Sequence, residues 1–341
     1  MTHRINRQWR LLRRPTGMVT EADFGLHEEP VTGPADGGIL VRTLYVSFDP
    51  AMRAFLNDRP SYVAPQPVGQ VMRAGAIGQI AESRAAGFTA GEFVTGQFGW
   101  QDYAIVPADQ LRGVGKIVPR HPLPAYMGIL GGTGLTGYFG LLEVGRPQPG
   151  DTVVISAAAG ASGSSAAQIA KMKGFRTIGI AGGPAKCRWL IDELRLDAAI
   201  DYKSEDVGAR LGELCPQGIN VYFDNVGGRL LETAIGHMAR RGRIVLCGMI
   251  SVYNDAEPQP GPSNLFELVA RSIRMEGFLG FDFLDKFESA RREMETWLDA
   301  GHLKNFADVQ EGFENIPKTF MRIFTGANIG KQMLKIADPQ S

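Results

Sequence analysis

The sequence predicts an α/β protein in two parts, a β-rich unit followed by a doubly wound parallel sheet. Three observations carry this. Up to about residue 125, short apolar runs are punctuated by Gly and Pro; beyond Pro124, strand-like and helix-like segments alternate; and Asp151–Gly174, DTVVISAAAGASGSSAAQIAKMKG, reads as strand, tight turn and helix.

In the first part the runs Ile39–Val46, Gln70–Met72, Ile77–Ile80, Phe93–Phe98 and Tyr103–Val106 have the spacing of an irregular barrel or sandwich. The proline-rich stretch Asp58–Pro67 is neither helix nor central strand, and so forms a loop able to cover a site. In the second part, strands are expected at Thr152–Ser156, Thr177–Ala181, Ala198–Asp201, Val221–Asn225, Ile244–Gly248 and Arg274–Leu279. Helices are expected at Ser164–Lys173, Lys186–Arg195, Ser204–Leu214 and Arg229–Ala239. Six strands with such crossovers fit a doubly wound sheet, whose ligand lies beyond the carboxyl ends of the strands. A long amphipathic helix at Phe283–Ala300, a helix at Ile316–Phe324 and a last strand at Lys331–Ile336 complete the chain.

With 341 residues the chain is long enough for two domains. Lys+Arg and Asp+Glu both number 36, so no net field draws a nucleic acid or an acidic membrane. Arg4, Arg7, Arg10, Arg13 and Arg14 interleave with Ile5, Trp9, Leu11 and Leu12, which predicts an edge strand in preference to a targeting arm. No apolar run of about 18 residues and no signal peptide core are present, so a cytoplasmic location without membrane contact is expected. Cys187, Cys215 and Cys247 are few, odd in number and widely spaced, and read as small, partly buried hydrophobes.

The turn Ala158-x-Gly160-x-x-Gly163 is a dinucleotide fingerprint with alanine for its first glycine. Gly160 would let the backbone approach a pyrophosphate, and Gly163 would let helix and strand pack closely. A small-residue loop in any α/β protein has the same appearance, so context must decide. The second strand ends in Gly182-Gly183, twenty residues past Gly163, where an NAD-binding domain places an acid on the ribose. No acid stands there; Lys186 and Arg188 follow, which favours a 2′-phosphate and hence NADP(H), unless both are merely a solvated helix face. Asp224-Asn225-Val226-Gly227-Gly228 and Cys247-Gly248-Met249-Ile250-Ser251-Val252-Tyr253 close two further strands where a cofactor would lie, though turn chemistry alone accounts for such residues too. His3, His27 and His121 have no ligand-like partners and no close Cys pair exists, so no metal is expected. The chain also lacks a G-x-S-x-G elbow.

These motifs, with Gly134–Leu142, Tyr222–Gly228, Gly312–Pro317 and Gly326–Lys331, resemble the zinc-independent medium-chain dehydrogenase/reductases. The resemblance spans essentially the whole chain and is nearest to the prostaglandin reductase (leukotriene B4 12-hydroxydehydrogenase) branch, beside plant double-bond reductases and bacterial curcumin reductase. It implies a GroES-like catalytic domain from 1–125 and 309–341 around a Rossmann domain at 126–308. It also implies NADPH-dependent reduction of a C=C bond conjugated to a carbonyl, with hydride reaching the β-carbon. Carried over residue by residue, it puts Gly160, Ala161, Ser162, Gly163 and Ser164 at the pyrophosphate, and Lys186 and Tyr202 at the 2′-phosphate. Asn225, Cys247, Gly248, Met249, Ile250, Ser251, Tyr253, Phe278, Leu279, Gly280 and Asn328 fall around the ribose and nicotinamide. Ser47–Arg53 also matches, but Ala51 stands where the family usually has an aromatic.

Negative charge developing on the carbonyl oxygen requires a donor. Tyr253 is the first candidate, directly or through the ribose, and Tyr62 the second, as donor or substrate contact. For each, a packed aromatic with a satisfied hydroxyl is the simpler alternative. Rival readings are an NADPH:quinone reductase and a non-catalytic NADPH-binding protein. A homodimer paired through Arg274–Leu279 is expected from the resemblance.

Overall fold

The computed structural model describes residues 4–59, 61–257 and 259–340 of the chain. It divides into two units, Met1–Met127 with Ala307–Ser341, and Gly128–Phe306. In the first, the arginine-rich start forms β1 (Ile5–Leu11), antiparallel to β2 (Phe24–Pro30). Its arginines are compensated locally: Arg4 pairs with Glu82, Arg7 with Asp102, Arg10 with Glu29, Arg13 with Asp23 and Arg14 with Asp58. The edge-strand reading therefore holds. β3 (Ile39–Ser47) leads into the one-turn helix α1 (Ala51–Phe55), then β4 (Ala76–Ser83), β5 (Phe93–Gly96), β6 (Tyr103–Val106) and β7 (Gly115–Ile117). The run expected at Gln70–Met72 contributes only an isolated bridge from Val71 to Arg10.

The second unit opens with α2 (Gly132–Phe139), continued by a wider turn in which the Arg146 N–H reaches back to Leu141. β8 (Thr152–Ile155), α3 (Ala161–Met172), β9 (Arg176–Ala181), α4 (Pro184–Asp192), β10 (Ala198–Asp201), α5 (Val207–Leu214), β11 (Ile219–Asp224), α6 (Gly228–Gly236) and β12 (Met238–Leu246) follow. The unit ends with α7 (Phe266–Ala270), β13 (Arg274–Gly277) and α8 (Phe287–Asp299). The sheet is parallel throughout, in the order β10-β9-β8-β11-β12-β13. That order reverses direction between β8 and β11, the doubly wound arrangement in which ligands bind at the switch point. Near-continuous apolar strands are buried on both faces, with Val154, Ile178, Tyr222 and Ile244 in the core.

Two expected boundaries shift for packing reasons. The helix expected to run to Ala239 ends at Gly236, because Met238 joins the core and pairs with Ile219 as the start of β12. The helix expected from Phe283 starts at Phe287, since Phe283 leaves helical geometry and stacks on Phe139 at 4.7 Å, beside Phe287 at 5.6 Å. Gly137 explains the glycine-rich α2. A Cβ there would stand 2.8 Å from the Ala166 nitrogen and from the Ser162 oxygen, so only glycine lets α2 close on α3.

β14 (Ala307–Glu311), α9 (Ile316–Thr325) and β15 (Lys331–Lys335) return the chain to the first unit, whose large sheet runs β14-β15-β3-β4-β5-β7, with β6 also paired to β3. The chain ends share one core there. Trp100 packs at 5.0 Å on Phe24, 5.8 Å on Phe48 and 5.5 Å on Phe320 of α9.

Candidate functional site

Because the strands of the second unit run parallel, every loop that follows one of them emerges on the same edge of the sheet. The structure thereby gathers the turn after β8, the Gly182–Gly183 corner after β9, Asn225 after β11, Cys247–Tyr253 after β12 and Phe278–Gly280 after β13. Tyr62 and Asn328 belong to the other unit, where the Asn328 Nδ2 donates to the Gly330 carbonyl at 2.9 Å.

After β8 the chain makes its tight turn at Ala157, which carries φ of +46°, rather than at Ala158, the position aligned with the fingerprint's first glycine. Ala158 instead is fully buried beside Gly179 of β9, so its methyl is a packing element. Gly160 caps α3, accepting the Ser164 N–H at 2.9 Å, and no side chain caps this end among the described residues. The N–H groups of Ala161, Ser162 and Gly163 therefore precede the first bond inside the helix, an end suited to an anion. Gly163 has no alternative: a Cβ would fall 2.3 Å from the Ala157 oxygen.

At the end of β9 an acid does appear, reaching over from the neighbouring strand. The Asp201 carboxylate accepts the Gly183 N–H at 2.7 Å, the Lys203 N–H at 3.0 Å and the Ser204 hydroxyl at 2.9 Å. These bonds, the Gly183 one first, hold it below the usual carboxylate range and occupy both oxygens. What lies over Gly182 is cationic and aromatic: a Cβ there would meet the Tyr202 ring at 2.8 Å and the Lys203 side chain at 2.9 Å. Lys186 sits half-buried in the first turn of α4 and Arg188 is exposed on it. Lys203 is absent from the sequence-based residue set. Its adjacency to Tyr202 was the available signal.

The loops after β11 and β12 are bonded into one platform. Asp224 is fully buried and accepts the Ser156 hydroxyl at 2.9 Å, the Val226 N–H at 3.1 Å and the Gly227 N–H at 3.0 Å. Burial pushes its carboxyl up despite these donors. Its backbone oxygen takes the Cys247 and Gly248 N–H groups, the Asn225 oxygen takes the Ile250 N–H, and the Val226 oxygen takes the Ser251 N–H and hydroxyl. Asn225 itself donates Nδ2 to the Ser156 oxygen at 2.7 Å. The Tyr253 hydroxyl accepts the Met249 N–H at 3.1 Å, and burial raises it above the ordinary phenol range. An accepting phenol that stays protonated keeps its own proton for donation.

Among the described residues no group of three or more His, Cys, Asp or Glu is placed to hold a metal, and His3 lies outside them. No described helix is long and apolar enough to cross a membrane.

Residues 7–114 match a family described as the N-terminal domain of oxidoreductase, and residues 161–297 one described as zinc-binding dehydrogenase. The chain is 37% identical over 337 residues to NADPH-dependent curcumin reductase of Escherichia coli (strain K12), covering 97% of each. The chain belongs to the zinc-independent medium-chain dehydrogenase/reductases. It is likewise 37% identical over 338 residues to 2-alkenal reductase (NADP(+)-dependent) of Nicotiana tabacum, covering 97% of this chain and 98% of the relative. The crystal structure of CurA in complex with NADPH from Vibrio vulnificus superposes with a TM-score of 0.92 at 37% identity, over 98% of this chain and 100% of that one. The chain is thus an NADP-dependent oxidoreductase of this family, and the uncapped α3 end and the cationic Gly182 corner fit NADP(H).

Replacing Lys186 or Lys203 by alanine lowers kcat/KM with NADPH about tenfold, the scale of one charge-assisted bond, and leaves NADH unchanged. Equal losses with both cofactors would remove the lysines from the 2′-phosphate. Burial raises the thiols of Cys187 and Cys215 to about 11 and that of Cys247 to about 12. Alkylation by iodoacetamide at neutral pH should therefore run roughly a hundredfold slower than for a free cysteine at Cys187 and Cys215, roughly a thousandfold slower at Cys247, and accelerate as pH rises. Mass spectrometry of the labelled protein reads the rate, and labelling at the free-thiol rate at pH 7 contradicts it.

Proposed function

We propose that this protein is an NADPH-dependent reductase of the C=C bond conjugated to a ketone or aldehyde carbonyl. The observation that carries the reading is the Tyr253 hydroxyl, fixed by the Met249 N–H on the carboxyl edge of the sheet with its proton retained. Full-length similarity to a curcumin reductase and a 2-alkenal reductase supports it.

NADPH, when bound, supplies the hydride for the β-carbon. Ala161, Ser162 and Gly163 hold the pyrophosphate through their N–H groups, while Lys186, Lys203 and Tyr202 receive the 2′-phosphate. Asn225, the Cys247–Tyr253 loop and Phe278–Gly280 would contact the ribose and nicotinamide. Tyr253 would donate to the carbonyl oxygen as charge develops there, and the α-carbon proton would come from water. The Met249 N–H, bonded to the phenol oxygen, makes that hydroxyl a better donor. The three free thiols fit a reducing compartment such as the cytoplasm.

We also propose a homodimer. β13 forms an edge of the parallel sheet, and α7 before it exposes Phe266 at 76% and Val269 at 72%, an apolar edge of the kind that pairs with a second copy.

Tyr253→Phe should lower kcat on an enone about a hundredfold, as loss of one oxyanion donor does; an unchanged kcat withdraws the role. Running a quinone beside the enone decides between the two reductase readings, since preferential quinone turnover overturns ours. Analytical ultracentrifugation should give a dimer for the native chain and a monomer for Phe266→Asp with Val269→Asp, and a native monomer at micromolar concentration removes the dimer.

A further inference from the structure

The serine that follows β8 is fully buried, and its N–H, hydroxyl and carbonyl all bond to the end of β11. The Ser156 N–H donates to the Phe223 oxygen at 3.0 Å, extending the ladder between the two strands by one bond. Its hydroxyl donates to Asp224 Oδ1 at 2.9 Å and accepts the Asn225 N–H at 2.8 Å, and its carbonyl accepts Asn225 Nδ2 at 2.7 Å. The hydroxyl has one proton to give. The Phe223 oxygen also lies within reach at 3.4 Å, but the carboxylate is nearer and charged, and so takes it. A single rotor is thereby locked, with one bond in and one out, and an apolar side chain could supply neither.

The consequence falls on Asn225, half-buried just past the carboxyl end of β11. Its Nδ2 is committed inward to Ser156, and among the described residues its Oδ1 takes no hydrogen bond. Asn225 therefore presents an acceptor and not a donor at this edge. The turn after β8, by contrast, does not need the Ser156 hydroxyl. The Ala157 oxygen accepts the Gly160 N–H at 2.9 Å, and the Ala158 N–H donates to the Ile180 oxygen at 3.0 Å. The backbone of Ser156 leads into that turn, while its side chain serves only the platform formed by the loops after β11 and β12.

We propose that Ser156 is a positioning residue for the nicotinamide half of the cofactor: its hydroxyl and carbonyl fix Asn225 so that Oδ1 accepts from an O–H or N–H group of that half. This rests on the NADP(H) placement of the enone-reductase reading. Without the hydroxyl, the Asp224 carboxylate loses a donor and the Asn225 N–H loses its acceptor. The amide is then less well ordered before binding, and the cost of ordering it falls on the cofactor. The adenosine half, held at the α3 end and the Gly182 corner, is untouched.

Equilibrium binding tests this without turnover, using NADPH, followed by its fluorescence, and adenosine 2′,5′-bisphosphate, titrated calorimetrically. The bisphosphate carries the adenosine and its 2′-phosphate but no nicotinamide half. Ser156→Ala should weaken NADPH about tenfold, the scale of one hydrogen bond to a charged group, and leave the bisphosphate unchanged; a general loosening of the domain would weaken both. In the Asn225→Ala background the same substitution should cost NADPH only about threefold, because the side chain through which it acts is gone. Equal losses for the two ligands, an unchanged NADPH affinity, or the full tenfold loss in the Asn225→Ala background would overturn the proposal. Should the expected binding pattern appear while no enone is reduced, the reductase reading falls and Ser156 keeps its role. If Ser156→Ala loses its far-ultraviolet circular dichroism, Ser156→Cys, which puts a weaker donor in the same place, carries the same comparison.

Discussion

The platform depends on one buried carboxylate. Asp224 ends an apolar strand at the centre of the sheet, beyond the reach of water, where an uncompensated charge would be prohibitive. A hydroxyl from the end of β8 and two N–H groups from its own loop converge on it. The geometry of the loop follows from supplying those donors, and that geometry turns the backbone oxygens of Asp224, Asn225 and Val226 toward the loop after β12. Three strand ends are thus one hydrogen-bonded object. Asn225 and Tyr253 hold their places because a charge deeper in the sheet had to be satisfied.

A second electrostatic choice governs the corner beyond β9. A carboxylate at that corner would meet a ribose hydroxyl well and a 2′-phosphate badly. Asp201 is close enough to matter, yet its oxygens are committed to Gly183, Lys203 and Ser204. The acid has become a brace for the corner, and the face over Gly182 carries Tyr202 and Lys203. A corner whose acid is already spent on donors suits a 2′-phosphate better than one with a free carboxylate.

Much of this was legible in the chain, because apolar runs that end in glycine mark strand ends and the parallel topology then collects them. The turn after β8, Lys186, Asn225 and the Cys247–Tyr253 stretch were all visible in that way. What could not be read depends on neighbours in space. The strained residue of the turn is Ala157, whose positive φ is imposed by closure of α3 on β8 and has no signature in an alanine. The role of Asp201 requires knowing that β10 lies beside β9.

Desolvation links the remaining observations. The burial that pushes Asp224 up also raises the Tyr253 hydroxyl and the Cys247 thiol, all within one pair of loops. For a phenol this preserves the proton that a developing enolate needs. For a thiol it withholds the thiolate, the form that electrophilic alkenes attack. Under the proposed function the donor faces a compound that alkylates nucleophiles, and burial of the phenol and of the neighbouring thiol serves both needs. The environment that keeps the Tyr253 proton also holds the Cys247 thiol in its less reactive protonated form.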